Sequence, residues 1–168
     1  MKPSPGTRKS IPLAQAMPAT LSWAASVNAN VIAQGKPLSA WQAVDAMEVG
    51  VLRPEAVRIL RVPGLPQPDC PHFRSLATRS GLDLGGSVGM ALGYAVLICH
   101  HALGSRRVLR HEFRHVAQFE KSGDLGRFLE IYLAQIAEHG YRDAPLEVDA
   151  RRHEGRLNRM RIDDTPSS

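Results

Sequence analysis

Two histidines four residues apart, with a glutamate after the first, constrain this chain more than any other feature: His111-Glu112-Phe113-Arg114-His115. The spacing has a use only on an α-helix, where residues i and i+4 lie one turn apart on one face and two imidazoles can reach one ion. Glu112 then projects about 100° further round the axis, where it can address a water on that ion rather than bind the ion. The flanking residues predict such a helix. Ser105 suits an N-cap, the helix runs to about Lys121, and Gly123 stops it. On its wheel Val108, Leu109, Phe113, Val116, Ala117 and Phe119 gather on one apolar side. Arg107, Arg110, Arg114 and Gln118 fill the opposite, wet side, and the two histidines fall at the seam.

The rest of the chain arranges itself around this helix. Residues 1–16, rich in proline and basic groups, read as a flexible arm. Pro18 opens a helix over Ala19–Gln34 that Gly35 ends, and Ser39 caps a second over Ala40–Val49 that Gly50 ends. Ala56–Val62 alternates apolar residues with arginines, as a half-buried strand does. Four prolines between Pro63 and Pro71 predict extended loop. The glycine-punctuated run Leu82–Cys99 predicts a short strand at Leu82–Leu84 and a longer one at Ala91–Cys99. Asp124 caps a helix over Leu125–Glu138 that Gly140 ends; Pro145 starts another reaching about Asn158, and residues 161–168 read as a frayed tail. Helices, then strands, then helices predict an α+β fold: a single domain over 17–160, with a helical part (17–50), a strand layer (about 56–100) and site helices (105–158).

With 168 residues, 43% apolar and 22% charged, the chain is long enough for one real core and too apolar for disorder. Cys70 and Cys99 offer neither a disulfide framework nor a thiolate cluster, which predicts a reducing, cytoplasmic setting. Lys2, Arg8 and Lys9 precede a mildly apolar stretch, but Pro12, Gln15 and Pro18 break it, which argues against a signal peptide. Glycines, an aspartate and a serine interrupt Leu82–Cys99, so no membrane span is expected. A net charge of +5 and Arg151, Arg152, Arg156, Arg159 and Arg161 keep a nucleic-acid-binding module as a second alternative; aromatic residues at 5% count against base stacking.

A hydrolytic zinc site needs three protein ligands and one open position. The third ligand has four candidates, His139, Glu147, Asp149 and His153, and spacing does not choose among them. His139 also suits the dipole at a helix end, and Glu147 suits a first turn, whether or not they bind a metal.

The segment from about Arg110 to Arg151 resembles small bacterial zincins of the gluzincin type, minigluzincin-like zinc metallopeptidase domains. The likeness lies in HEFRHVAQ, in the Tyr-Leu helix, and in Gly-Tyr followed by Pro-Leu-Glu-x-x-Ala. It covers about a third of the chain firmly and leaves the N-terminal helices outside. It implies a zincin-like fold, Zn²⁺ on His111, His115 and Glu147, Glu112 as general base, a peptide or protein substrate, and a cleft along the strand Ala91–Cys99. One position departs: larger gluzincins carry an aspartate four residues after the glutamate ligand, where this chain has Arg151. Asp149 or Asp143 are left to orient a ligand histidine. An oxyanion donor is also required, and Tyr94, Tyr132, Tyr141, His100, His101 and His153 are all eligible. A catalytically silent zinc-binding or regulatory protein of the same fold is the first alternative.

Overall fold

A computed structural model describes residues 13–102 and 104–155. The first helix, α1 (Leu13–Gln34), starts well before Pro18 and carries that proline inside it. Proline there removes the N–H that would bond the carbonyl of Ala14. Both residues are exposed, so water can satisfy that carbonyl and the helix survives. The predicted arm therefore ends at residue 12 at the latest; residues 1–12 and the predicted tail, with Arg156, Arg159 and Arg161, lie outside the described residues.

Strand β1 (Lys36–Pro37) follows, then α2 (Ala40–Glu48), whose Ser39 and Gln42 form a reciprocal capping box. Strand β2 (Arg58–Val62) matches the alternating run. The proline-rich loop ends in a helix that the sequence reading missed, α3 (Pro71–Ser80). Its signals are ordinary: Pro71 in the first turn, Phe73, Leu76 and Ala77 at helical spacing, and Gly81 at φ 78° as the stop.

The strand prediction for 82–99 needs correction. Leu82–Leu84 is not a strand, and the longer run is two strands, β3 (Gly89–Leu92) and β4 (Ala95–Cys99). A two-residue turn separates them, with Gly93 at φ 66° supplying the left-handed position a tight hairpin needs. Helices α4 (Arg106–Ser122), α5 (Leu125–His139) and α6 (Pro145–His153) complete the α+β chain. α6 stops short of the predicted Asn158, just before Gly155 at φ 81°.

The sheet runs β1-β2-β4-β3, with β2 and β4 parallel and both outer pairings antiparallel. All five β4 residues are buried, which explains an unbroken apolar run instead of an alternating one. Val96 and Ile98 face Leu109, Phe113, Val116 and Ala117 of α4. Ala95, Leu97 and Cys99 face the opposite way, towards Ala24 and Val31 of α1 and Leu129 of α5. This sandwich holds α4 against β3, the free outer strand. Among the described residues no helix is long and apolar enough to cross a membrane.

Candidate metal centre

The core side of α4 is as the wheel predicts, but of the side assigned to water only Arg107 is exposed. Gln118 is buried, and Arg110 and Arg114 are half-buried under α2 and α6. Arg110 donates to Asp45 (2.9 Å) and Glu48 (2.7 Å) of α2, and Arg114 donates to Asp149 of α6 (2.6 and 3.2 Å). A helix wheel cannot see a neighbour that brings carboxylates to meet arginines.

That neighbour delivers the third group. His111, His115 and Glu147 form one cluster, with His115 and Glu147 buried and His111 half-buried. His111 Nε2 lies 3.1 Å from His115 Nε2 and 3.3 Å from Glu147 Oε2, and His115 Nε2 lies 3.2 Å from Glu147 Oε1. Of the other candidates, His139 is exposed at the end of α5 beside Glu138. Asp149 is occupied by Arg114 and Gln118, and the Nδ1 of His153 lies against the carbonyl of Asp149.

The partners around the cluster fix where the protons are. Gln118 Nε2 donates to the carbonyl of Leu146 (3.0 Å) and to Asp149 (2.8 Å), so its amide oxygen must be the atom facing His115 Nδ1 at 2.8 Å. Nδ1 of His115 therefore donates, and its Nε2 carries a lone pair. The Nδ1 of His111 meets Glu154 Oε1 at 3.0 Å, which assigns the same tautomer to the neutral ring. Tyr132 donates to Glu147 Oε1 (2.7 Å), while Glu147 Oε2 is buried with His111 Nε2 at 3.3 Å and the Arg151 guanidinium at 3.7 Å as its charged neighbours.

With both rings neutral, lone pairs thus converge at 3.1–3.3 Å around the buried carboxylate of Glu147. Such a set repels itself unless a cation or a proton sits inside. An ion binding N and O at about 2.0–2.1 Å in a tetrahedron sets neighbouring ligand atoms about 3.3–3.4 Å apart, close to the separations found. The residues fit a metal.

Charge agrees with geometry. Burial works against a charged His111, yet its hydrogen bond to Glu147 and the negative charges of Glu112, Glu147 and Glu154 hold its pKa up at about 9. Burial likewise opposes ionisation of Glu147, but the two histidines win and keep it well below the usual carboxylate range. Glu112, 6% exposed, goes the other way: burial raises its pKa above the ordinary value despite the pull of both histidines.

Glu112 lies against β3. A Cβ at Gly89 would stand 2.6 Å from its Oε1, 2.9 Å from its Cγ and 3.0 Å from its Cδ, so the bare strand backbone makes room for the carboxylate. Sequence reasoning missed Gly89 for want of any local signal. It also missed Glu154, which holds His111 in place of the two suggested aspartates: Asp143 is an exposed loop residue and Asp149 reaches His115 only through Gln118. The signal for Glu154 was present, since it follows Glu147 by seven residues and so shares its helical face.

Among the six eligible oxyanion donors, Tyr141 lines the cavity beside the cluster. Tyr132 lines it too, but its hydroxyl is spent on Glu147. Tyr94 stacks edge-on with Phe119 under Arg53, and His100 and His101 are exposed ahead of α4. Compared with protein-family models, curated proteins and solved structures, the chain matches none, and nothing in those comparisons identifies a zincin.

Proposed function

We propose that this chain is a zinc-dependent peptidase of zincin-like design, with His111, His115 and Glu147 as ligands and Glu112 as general base. The observation that carries this reading is the convergence of three potential ligand atoms, each group held by its own partner, beside a fourth group, the buried carboxylate of Glu112. Two imidazoles and one carboxylate are the donor set of a hydrolytic zinc site with a position left open.

When bound, zinc supplies a Lewis acid that brings the pKa of a water towards about 7. Glu112, beside the three ligands, would accept a proton from a water as the water's oxygen bonds to the carbonyl carbon of a peptide. It then delivers the proton to the amide nitrogen as the C–N bond breaks. A carboxylate whose pKa burial has raised is suited to both halves of that transfer. Tyr141, protonated throughout because burial and the nearby carboxylates raise its pKa, donates to the oxygen that gains charge. A nucleic-acid surface gains little support, because Arg106, Arg107, Arg110 and Arg114 of α4 all pair with carboxylates of the chain.

Zinc binding and hydrolysis of a mixed peptide library test this directly. The wild type should bind one equivalent and cleave; a chelator should stop cleavage and added zinc restore it. His111→Ala should lose the metal. Glu112→Gln should keep it and lose turnover, and Tyr141→Phe should keep it while turnover falls about 10²–10³-fold. Binding below half an equivalent, unchanged in His111→Ala, would end the metal claim. Zinc bound without cleavage of any peptide would leave a silent zinc protein.

A further inference from the structure

The cavity that reaches the metal cluster is not polar beyond it. Its far wall is built by elements outside the metal helices: Trp23 of α1, Phe73 of α3, Leu84 from the loop before β3, and Phe128, Leu129 and Leu133 of α5. Apart from Tyr141, beside the cluster, the hydroxyls in the wall are occupied. Thr20 donates to the carbonyl of Ala16 (2.7 Å), Ser87 to the carbonyl of Asp83 (2.7 Å) and Tyr132 to Glu147. Apart from Glu112, His111, His115 and Glu147, no lining residue carries a charge. The space amounts to about 80 Å³, where one water needs roughly 10–15 Å³, so it holds several waters or the four carbons of a leucine side chain.

We infer that this cavity is a specificity pocket for a branched aliphatic side chain next to the scissile bond. The inference rests on the peptidase reading above for the words "scissile bond", though not for the pocket itself. An acidic side chain would enter beside the buried Glu112 carboxylate, and the cationic group of the wall, His111, is already held by Glu147 and Glu154. A lysine ammonium, which only donates, would lose water and find no side-chain acceptor on the far wall, and a glutamine would find there no side-chain partner for its oxygen other than the indole N–H of Trp23. A leucine, isoleucine or methionine removes apolar surface from water on both sides. The N-terminal helices thus gain a purpose: α1 and α3 complete a pocket that α4–α6 cannot close alone.

Two measurements on the full chain test this. In the library digest with zinc present, leucine, isoleucine or methionine should dominate one position flanking the cleaved bond. Leu84→Phe should shift that preference towards alanine and glycine, and Leu84→Ala towards phenylalanine, each by about tenfold or more. The second readout needs no activity: methyl NMR of the metal-free chain titrated with N-acetyl-leucine methylamide. The probe should move the methyl signals of Leu84, Leu129 and Leu133, and the aspartate and lysine analogues should not. Leu84→Phe should weaken the effect about tenfold; Leu84→Ala, judged alongside it, covers a failure of the larger residue to fold. Equal shifts with all three analogues, no shift with the leucine probe, or a flanking preference for charged residues would overturn the inference. Leucine-selective shifts in a chain that cleaves nothing would uphold the pocket and defeat the peptidase.

Discussion

Replacing Gly89 by alanine adds one methyl group and should disable the site without touching a ligand. Gly89 is not among the glycines with positive φ, so its backbone would accept alanine; space is the constraint. The new Cβ would sit 2.6 Å from Glu112 Oε1, about 0.8 Å inside ordinary van der Waals contact, and it would also crowd Cγ and Cδ. Rotating the carboxylate tip alone cannot relieve that, so the whole buried side chain must move or β3 must part from β4. Overpacking of this kind costs about 1–3 kcal/mol, of which alanine in a strand returns about 0.5–1 through the unfolded chain. In a Glu112→Ala background the clash is gone, and the same change should be neutral or stabilising. The double-mutant cycle, read by urea denaturation of the metal-free protein, should therefore show a coupling of at least about 1 kcal/mol. On the peptidase reading, a base displaced by about 1 Å also costs roughly 10²-fold in kcat/KM, with zinc affinity unchanged, since none of the atoms crowded at Gly89 belongs to His111, His115 or Glu147. Gly89→Ala with coupling under about 0.5 kcal/mol would show that Glu112 is not seated against β3, and the argument from that strand would fail.

Two further outcomes follow from the partners of His111. Glu154→Ala should weaken zinc binding about 10–100-fold by freeing the ring, whereas Arg107→Ala, which removes only Glu154's exposed partner, should change it less than threefold; direct titration of the metal separates them. His111 holds its proton to about pH 9 in the metal-free protein, so metal uptake at pH 7 should release about one proton and affinity should fall about tenfold per unit below pH 9. The sign for stability is set by the same shift: with the folded pKa raised above 6.5, this contribution is full below that pH and is lost as pH rises through about 9. Calorimetry in buffers of different ionisation enthalpy reads the proton, and none released at pH 7 would contradict the assignment.

What the sequence shows and what it hides divides along contact distance. The caps Ser39, Ser105 and Asp124 act on amides three residues away, and each of these helices starts where its cap places it. The pair His111 and His115 is equally local. By contrast, the break of Ala91–Cys99 at Gly93 depends on which strand pairs with which, and a continuous apolar run conceals it. α3 was hidden because four prolines outweighed a short helical pattern that packs on α5. Gly89 is invisible for the same reason: its role is set by a side chain 23 residues away, and a glycine in a strand looks the same whether or not a carboxylate lies over it.

The charged layer on the outer side of α4 explains how so short a helix as α6 delivers its carboxylate to the right level. The contacts run in order: Arg107 and His111 meet Glu154, Arg110 meets the carbonyl of His153, Arg114 meets Asp149, and Gln118 meets Leu146. Rising numbers on α4 meet falling numbers on α6, so the helices are antiparallel, and each rung fixes the same register. Ion pairs this sheltered add little net stability, because desolvation offsets most of their attraction. Their effect is selective. A slip of α6 by one turn would move Asp149 off Arg114, towards Gln118 or towards an Arg110 already held by Asp45 and Glu48, and would leave Gln118 without its carbonyl, while the apolar contacts of α4 with the sheet would not change. Apolar packing therefore places α4, and polar matching places α6 upon it, which is the condition for Glu147 to lie between two histidines on a different helix.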